Sequence, residues 1–331
     1  MNPRRLRACL LSTTLLGCVV AANAQPGFFS GRHHPPWSGP VASSQTIHVG
    51  GAAIQIDLAP GSLDLNHAAV VKWIDTAARA VSNYYGRFPV PRERVLVVPI
   101  ADREGVLSGT TWGNVDGFPA FARMRIGEHT TAQDLTGDWT MTHEFVHTAL
   151  PSLAPDHHWL EEGLATYIEP IARGQIGTLS PQQVWGEMLR DMHQGEPDPG
   201  DLGLDQTHTW ASTYWGGALF CLLADTQIRE QTGNRKGLQD ALRGILASGG
   251  SIAVHWPISK VLRTGDEATG TQVLTQLYRK MGESAYTPVD LGAIWKRLGV
   301  RFVNGGIVFD NHAPLARIRQ RILSGESPAG A

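Results

Sequence analysis

The stretch His143-Glu144-Phe145-Val146-His147, followed twelve residues later by Trp159-Leu160-Glu161-Glu162-Gly163-Leu164-Ala165-Thr166-Tyr167, decides how the rest of this chain is read. On a helix, residues four apart share a face, so the imidazoles of His143 and His147 point together and can hold one metal ion. Glu144, beside His143, can then reach a water at that ion and act as general base. With 13 His and 13 Glu in 331 residues, composition alone gives roughly 0.02 such matches by chance. The competing reading is a helix with two unrelated histidines. Met141, Phe145, Val146 and Ala149 weigh against it, because they surround the pair with the apolar residues a buried helix needs.

Zinc in a catalytic site takes three protein ligands and leaves one position open. The metzincin spacing would put a histidine six residues after His147, but that position is Leu153. A carboxylate on a second helix, after a short turn, would complete a His-His-Glu set. Helical periodicity does not choose between Glu161 and Glu162.

His-Glu-x-x-His followed by Trp-Leu-x-Glu-Gly-x-Ala-x-Tyr resembles the gluzincin zinc metallopeptidases. More narrowly, it resembles the aminopeptidase N-like and glycyl aminopeptidase-like branches and their short peptidase MA-like relatives. The resemblance covers about residues 64–231. It implies an α+β, thermolysin-like zincin domain, β-rich first and helical second, that hydrolyses peptide bonds with Zn2+. It implies Glu162 as third ligand beside His143 and His147, with Glu144 as the catalytic base. Fourteen residues separate His147 from Glu162; the large aminopeptidases have a longer spacer, so a tighter turn is expected here. These enzymes also carry a tyrosine three residues before a glycine in a following helix, where its phenol steadies the oxyanion. Tyr214-Trp215-Gly216-Gly217 matches that spacing and makes Tyr214 the second catalytic candidate, against the alternative of a core tyrosine at a helix start.

Ahead of the zinc helix, the same proteins use a sheet-edge strand to bind peptide as an added strand. Residues 117–127 alternate: Phe118, Ala120, Ala122, Met124 and Ile126 share one parity, which predicts a half-buried strand. Pro119 cannot donate to a ladder, which predicts an edge position. The large aminopeptidases have Gly-x-Met-Glu-Asn there, with the Glu holding the substrate's amino terminus; Gly117-Phe118-Pro119-Ala120-Phe121-Ala122 lacks it, so strict aminopeptidase activity is not expected. Arg123 and Arg125 either meet a substrate carboxylate or, as the simpler reading has it, lie on a solvated strand face. Thr166 is a possible supporting partner for the ligands. His157, His158 and His208 read as structural or surface residues, with His208 an alternative substrate contact near Tyr214.

The remaining chain organises around this centre. Thr46–Leu58 reads as a strand, Asp64–Tyr85 as a helix ended by Gly86, and Arg94–Ile100 as a short apolar strand. Helices are predicted over Asp138–Leu150, Trp159–Ile171, Pro181–His193, Trp210–Gln231, Lys236–Ser248, Ala268–Met281, Pro288–Leu298 and Pro314–Leu323, with a late strand near Val300–Phe309. This gives a β-rich part over residues 46–130 and a helical part over 131–325, followed by a tail.

The first 24 residues read as a secretory signal peptide: Arg4, Arg5 and Arg7, an apolar run from Ala8 to Ala22, and Ala22-Asn23-Ala24 before the cut. That run is short for a membrane span. Leu15-Leu16-Gly17-Cys18 offers a lipoprotein alternative anchored at Cys18. Residues 25–45, with His33-His34, read as a linker. Cleavage removes three positive charges, taking the net charge from -2 to -5, and leaves Cys221 as the lone cysteine. A periplasmic or secreted protein follows, without disulfides, without a stable membrane span and without the charge to attract nucleic acid. Three readings compete: an active zinc peptidase on a peptide or protein substrate, a zinc-binding envelope protein of the same fold without turnover, and a metal-free helical domain with a chance motif.

Overall fold

The computed structural model describes residues 39–285 and 288–324. The signal peptide, Cys18, the linker up to residue 38 and the tail from 326 lie outside them. Strand β1 (Ser43–Val49) begins inside the segment read as linker. It pairs antiparallel with β2 (Ala52–Leu58), and Gly50-Gly51, both at positive φ, close the turn. The single strand expected over Thr46–Leu58 is therefore a hairpin. Two left-handed residues match the twist of the paired strands, which is what Gly-Gly supplies.

Helix α1 (His67–Tyr85) follows the spacing read from sequence. Val70, Trp73, Ile74, Ala77, Val81, Tyr84 and Tyr85 are all buried. Asn66 caps it by accepting from the Ala69 N–H at 2.9 Å, and Gly86 ends it in the left-handed region. The chain continues into β3 (Arg92–Ile100), β4 (Val106–Val115) and β5 (Phe118–Gly127). The sheet order is β1-β2-β3-β5-β4, with β2, β3 and β5 parallel and β4 antiparallel to β5.

This order corrects the edge assignment. β5 is paired on both sides; the sheet's edges are β1 and β4, and β4 is the edge next to β5. Pro119 is tolerated because the β3 ladder starts only at Ala120, so its missing N–H removes no bond on that side. The alternation read for β5 is right: Ala120, Ala122, Met124 and Ile126 face the main core, while Phe121 joins a small cluster with Ala59 and Leu96 on the other face.

The helical part comprises α2 (Ala132–Gly137), α3 (Thr140–His147), α4 (His158–Gln175), α5 (Pro181–Asp191), α6 (Gly217–Gln231), α7 (Leu238–Ala247), α8 (Ile258–Thr269), α9 (Val273–Met281), α10 (Leu291–Leu298) and α11 (Ala316–Ser324). Two details depart from expectation. The segment before α6 is a π-helix over Ser212–Gly216. The helix expected over Ala268–Met281 is instead the end of α8 and all of α9, separated by Gly270 at φ 70°. A hairpin of β6 (Val300–Val303) and β7 (Gly306–Phe309) sits between α10 and α11. The fold is mixed α+β, with one main core between the sheet and the helices. Among the described residues, no helix is long and apolar enough to cross a membrane.

Candidate metal centre

Helix α3 starts beneath Asp138, which accepts from the Met141 N–H and the Trp73 indole N–H. That anchor ties α3 to α1. The helix stops at His147, sooner than expected, where the Thr148 hydroxyl bonds the Phe145 carbonyl at 2.6 Å. His143 and His147 project from one face with ring centroids 4.9 Å apart. A short 3-10 turn, Pro155–His157, then delivers the chain into α4.

α4 supplies Glu162. One of its oxygens, Oε2, lies 3.1 Å from His143 Nε2 and 3.5 Å from His147 Nε2. The ligand atoms of the three residues all fall within 4.8 Å of one another. Donors about 2.0–2.1 Å from a tetrahedral zinc stand about 3.3 Å apart, so the donor set and its spacing fit zinc. Burial works to raise the Glu162 carboxyl, but the His147 and His143 imidazoles outweigh it and hold it well below the usual range. Burial likewise works to lower His147, and the carboxylates of Glu162, Glu144 and Glu161 outweigh it and raise it. The pocket thus favours a positive charge beside the Glu162 carboxylate, a place that a metal ion would suit.

Glu161, the other candidate, turns elsewhere. Its Oε1 accepts from the Leu153 N–H at 3.1 Å and its Oε2 faces His158 Nδ1 at 2.8 Å. His158 Nε2 in turn lies 3.2 Å from Glu162 Oε1. One oxygen of Glu162 therefore faces the histidines while His158 holds the other, the outer support that metal-ligating carboxylates need. His158 reads from sequence as a structural or surface residue, although its place four residues before Glu162 on a helix was a usable signal for this contact. Thr166 does not have this role: no hydrogen bond joins it to the cluster. His157 bonds Asp205 at 3.0 Å, and Asp205 also accepts from Trp159 and Tyr278. His208 is exposed.

Glu144 is buried beside His143, His147 and Glu162, and burial raises its carboxyl above the ordinary value, with Glu162 adding to the effect. The edge strand β4 holds it. Thr111 Oγ donates to Glu144 Oε2 at 2.7 Å, and Gly109 lies so close that a Cβ there would come 2.5 Å from Glu144 Cγ. Neither residue was found from sequence, because β4 has no alternating pattern. Arg123 lies on the opposite face of the sheet, its guanidinium 5.1 Å from the Trp112 ring centre, and Arg125 is exposed.

Tyr214, carried by the π-helix, lies parallel to His143 with centroids 6.2 Å apart. Burial, then the charges of Glu162 and Glu144, push its phenol up, so it stays protonated and able to donate. Its position depends on two glycines. A Cβ on Gly217 would meet the Trp159 carbonyl at 2.1 Å, and one on Gly163 would meet the Gly217 backbone at 2.3 Å. α4 and α6 thus touch backbone to backbone, which brings Tyr214 to Glu162. A π-bulge at such a place is a common functional feature. Elsewhere, ligand atoms of Asp102, Glu128 and His129 also come within 4.8 Å, but this group is largely exposed and His129 pairs with Asp64.

The fold is shared with an aminopeptidase N family protein. That protein, from Idiomarina loihiensis, superposes with a TM-score of 0.58 at 12% identity, covering 78% of this chain and 49% of its own. An M1 zinc metallopeptidase from Deinococcus radiodurans aligns more loosely, with a TM-score of 0.45 at 17% identity over 74% of this chain and 52% of its own. The chain spans about half the length of these structures. No family model and no curated protein matches it.

Proposed function

We propose that this chain hydrolyses peptide bonds with a zinc ion held by His143, His147 and Glu162. The observation that carries this reading is the clustering of three possible ligand atoms within 4.8 Å of one another, with the buried Glu144 carboxyl and the Tyr214 ring against the same group. Zinc would supply a Lewis acid that polarises the substrate carbonyl and acidifies the attacking water. Glu144, its carboxyl raised by burial and fixed by Thr111, accepts the proton of that water and returns it to the leaving amine. Tyr214 donates a hydrogen bond to the oxygen on which negative charge grows.

The substrate backbone adds to β4. That strand is a sheet edge, and Gly109 and Thr111 place its inner face directly against Glu144. Val106–Val115 contains no acidic residue, so nothing on this strand grips a free amino terminus, and cleavage within peptides is favoured over removal of amino-terminal residues alone.

Replacing Glu144→Gln tests the assignment. Zinc should be retained at one ion per chain while hydrolysis falls by about 10³ or more. A zinc-loaded wild type that cuts no member of a broad peptide library would leave the turnover-free binding role as the better reading.

A further inference from the structure

Four rings form a row across the candidate centre. Trp139, at the start of α3, meets His143 edge to face at 5.2 Å; Tyr214 lies along His143; Trp210 stacks on Tyr214 at 5.6 Å and 25°. The inner two rings are the candidate ligand and the candidate oxyanion donor. The outer two stay in solvent, with Trp139 53% and Trp210 49% exposed. They are the two exposed tryptophans among the described residues; the others are buried or half-buried. Large aromatic surface left in water at the mouth of a site marks where a ligand covers it.

We propose that Trp139 and Trp210 form binding positions for large apolar or aromatic side chains flanking the scissile bond, so that the substrates are peptides rich in such residues. This rests on the peptidase reading above, because the row is continuous with Tyr214 and His143 and sets both exposed rings beside the candidate oxyanion donor and the candidate ligand. The chemistry favours ring surface over charge. Asp138, the acidic neighbour of Trp139, is turned inward to Trp73 and the Met141 N–H, so it does not offer a carboxylate for a cationic side chain. The outer face of Trp210, already stacked on Tyr214 on its other side, is suited to a flat or branched apolar group.

Matched peptides that carry either Phe or Ala beside the cleaved bond test this on the zinc-loaded full chain. The wild type should prefer the Phe peptides by about tenfold or more in kcat/KM. Trp139→Ala and Trp210→Ala should each lower kcat/KM for the Phe peptides far more than for the Ala peptides, removing most of that preference, with zinc content unchanged; Trp→Phe at either position should restore it. Equal losses on both peptides, or no preference in the wild type, would overturn the proposal while leaving the peptidase reading intact. Binding is followed separately by tryptophan fluorescence in the Glu144→Gln protein. If no peptide is ever cut yet Phe peptides bind there more tightly than Ala peptides, and the tryptophan variants abolish the difference, the apolar site stands and the hydrolytic reading fails. Tighter binding of tetramethylammonium or a methyl glycoside than of the Phe peptide would contradict it.

Discussion

Glu162 and Glu161 stand side by side in the chain and do different things, and the difference is set by which face of α4 each occupies. Glu162 meets His143 and His147, while Glu161 clamps His158 and the Leu153 N–H. Glu162→Ala should abolish stable zinc binding. Glu161→Ala should weaken it modestly, about tenfold, through the loosened His158 support. Zinc affinity measured by competition with a chelator checks both, and equal affinities would refute the ligand assignment. A second carboxyl makes a pH-dependent prediction. Glu93 on β3 is fully buried, neither of its oxygens has a hydrogen-bond partner, and burial, with Glu144 nearby, raises it well above its ordinary value. The folded state therefore keeps a proton that the unfolded chain has released once the pH exceeds about 4.3, so stability falls as pH rises above that value. Glu93→Gln removes this dependence and should raise the urea midpoint, more at pH 8 than at pH 5. A gain independent of pH would contradict it.

The elements were legible where a periodic apolar pattern met a clear stop. α1, α4 and β5 follow from spacing, as does the shared face of His143 and His147 on α3. β4 was not legible: Ser108-Gly109-Thr110-Thr111 is half-buried along its length and shows no alternation, because one face packs against Glu144 while the strand lies at a sheet edge. Yet Asp116-Gly117, both at positive φ, carried a hairpin signal that would have revealed it. α8 was missed because the stop at Gly270 fell inside what read as one helix. At this scale the contact of α4 with α6 governs Tyr214. Gly217→Ala would force a Cβ to within 2.1 Å of the Trp159 carbonyl. It should cost about 1–3 kcal/mol of stability in urea unfolding and lower kcat by displacing Tyr214, with zinc content unchanged. Unchanged stability would show that the two helices do not need this contact.

Across the molecule, the sheet and the helices meet at the centre rather than merely flanking it. β4 brings Thr111 and Gly109 to Glu144, α3 and α4 bring His143, His147 and Glu162 together, and the π-helix brings the Tyr214 phenol. The residues most legible in sequence were those bound to one element and spaced within it. The supports contributed by other elements, Thr111, His158 and the glycine pair, depend on packing that no single segment reveals. Because the whole fold converges on this point, the most direct test is a titration. The purified full chain is stripped of metal with a chelator, zinc is added back in known steps, and cleavage of a peptide library is followed. The account predicts no cleavage by the stripped protein and activity that rises to a plateau at one zinc per chain. Cleavage by the metal-free protein, or none at full zinc loading, would contradict it.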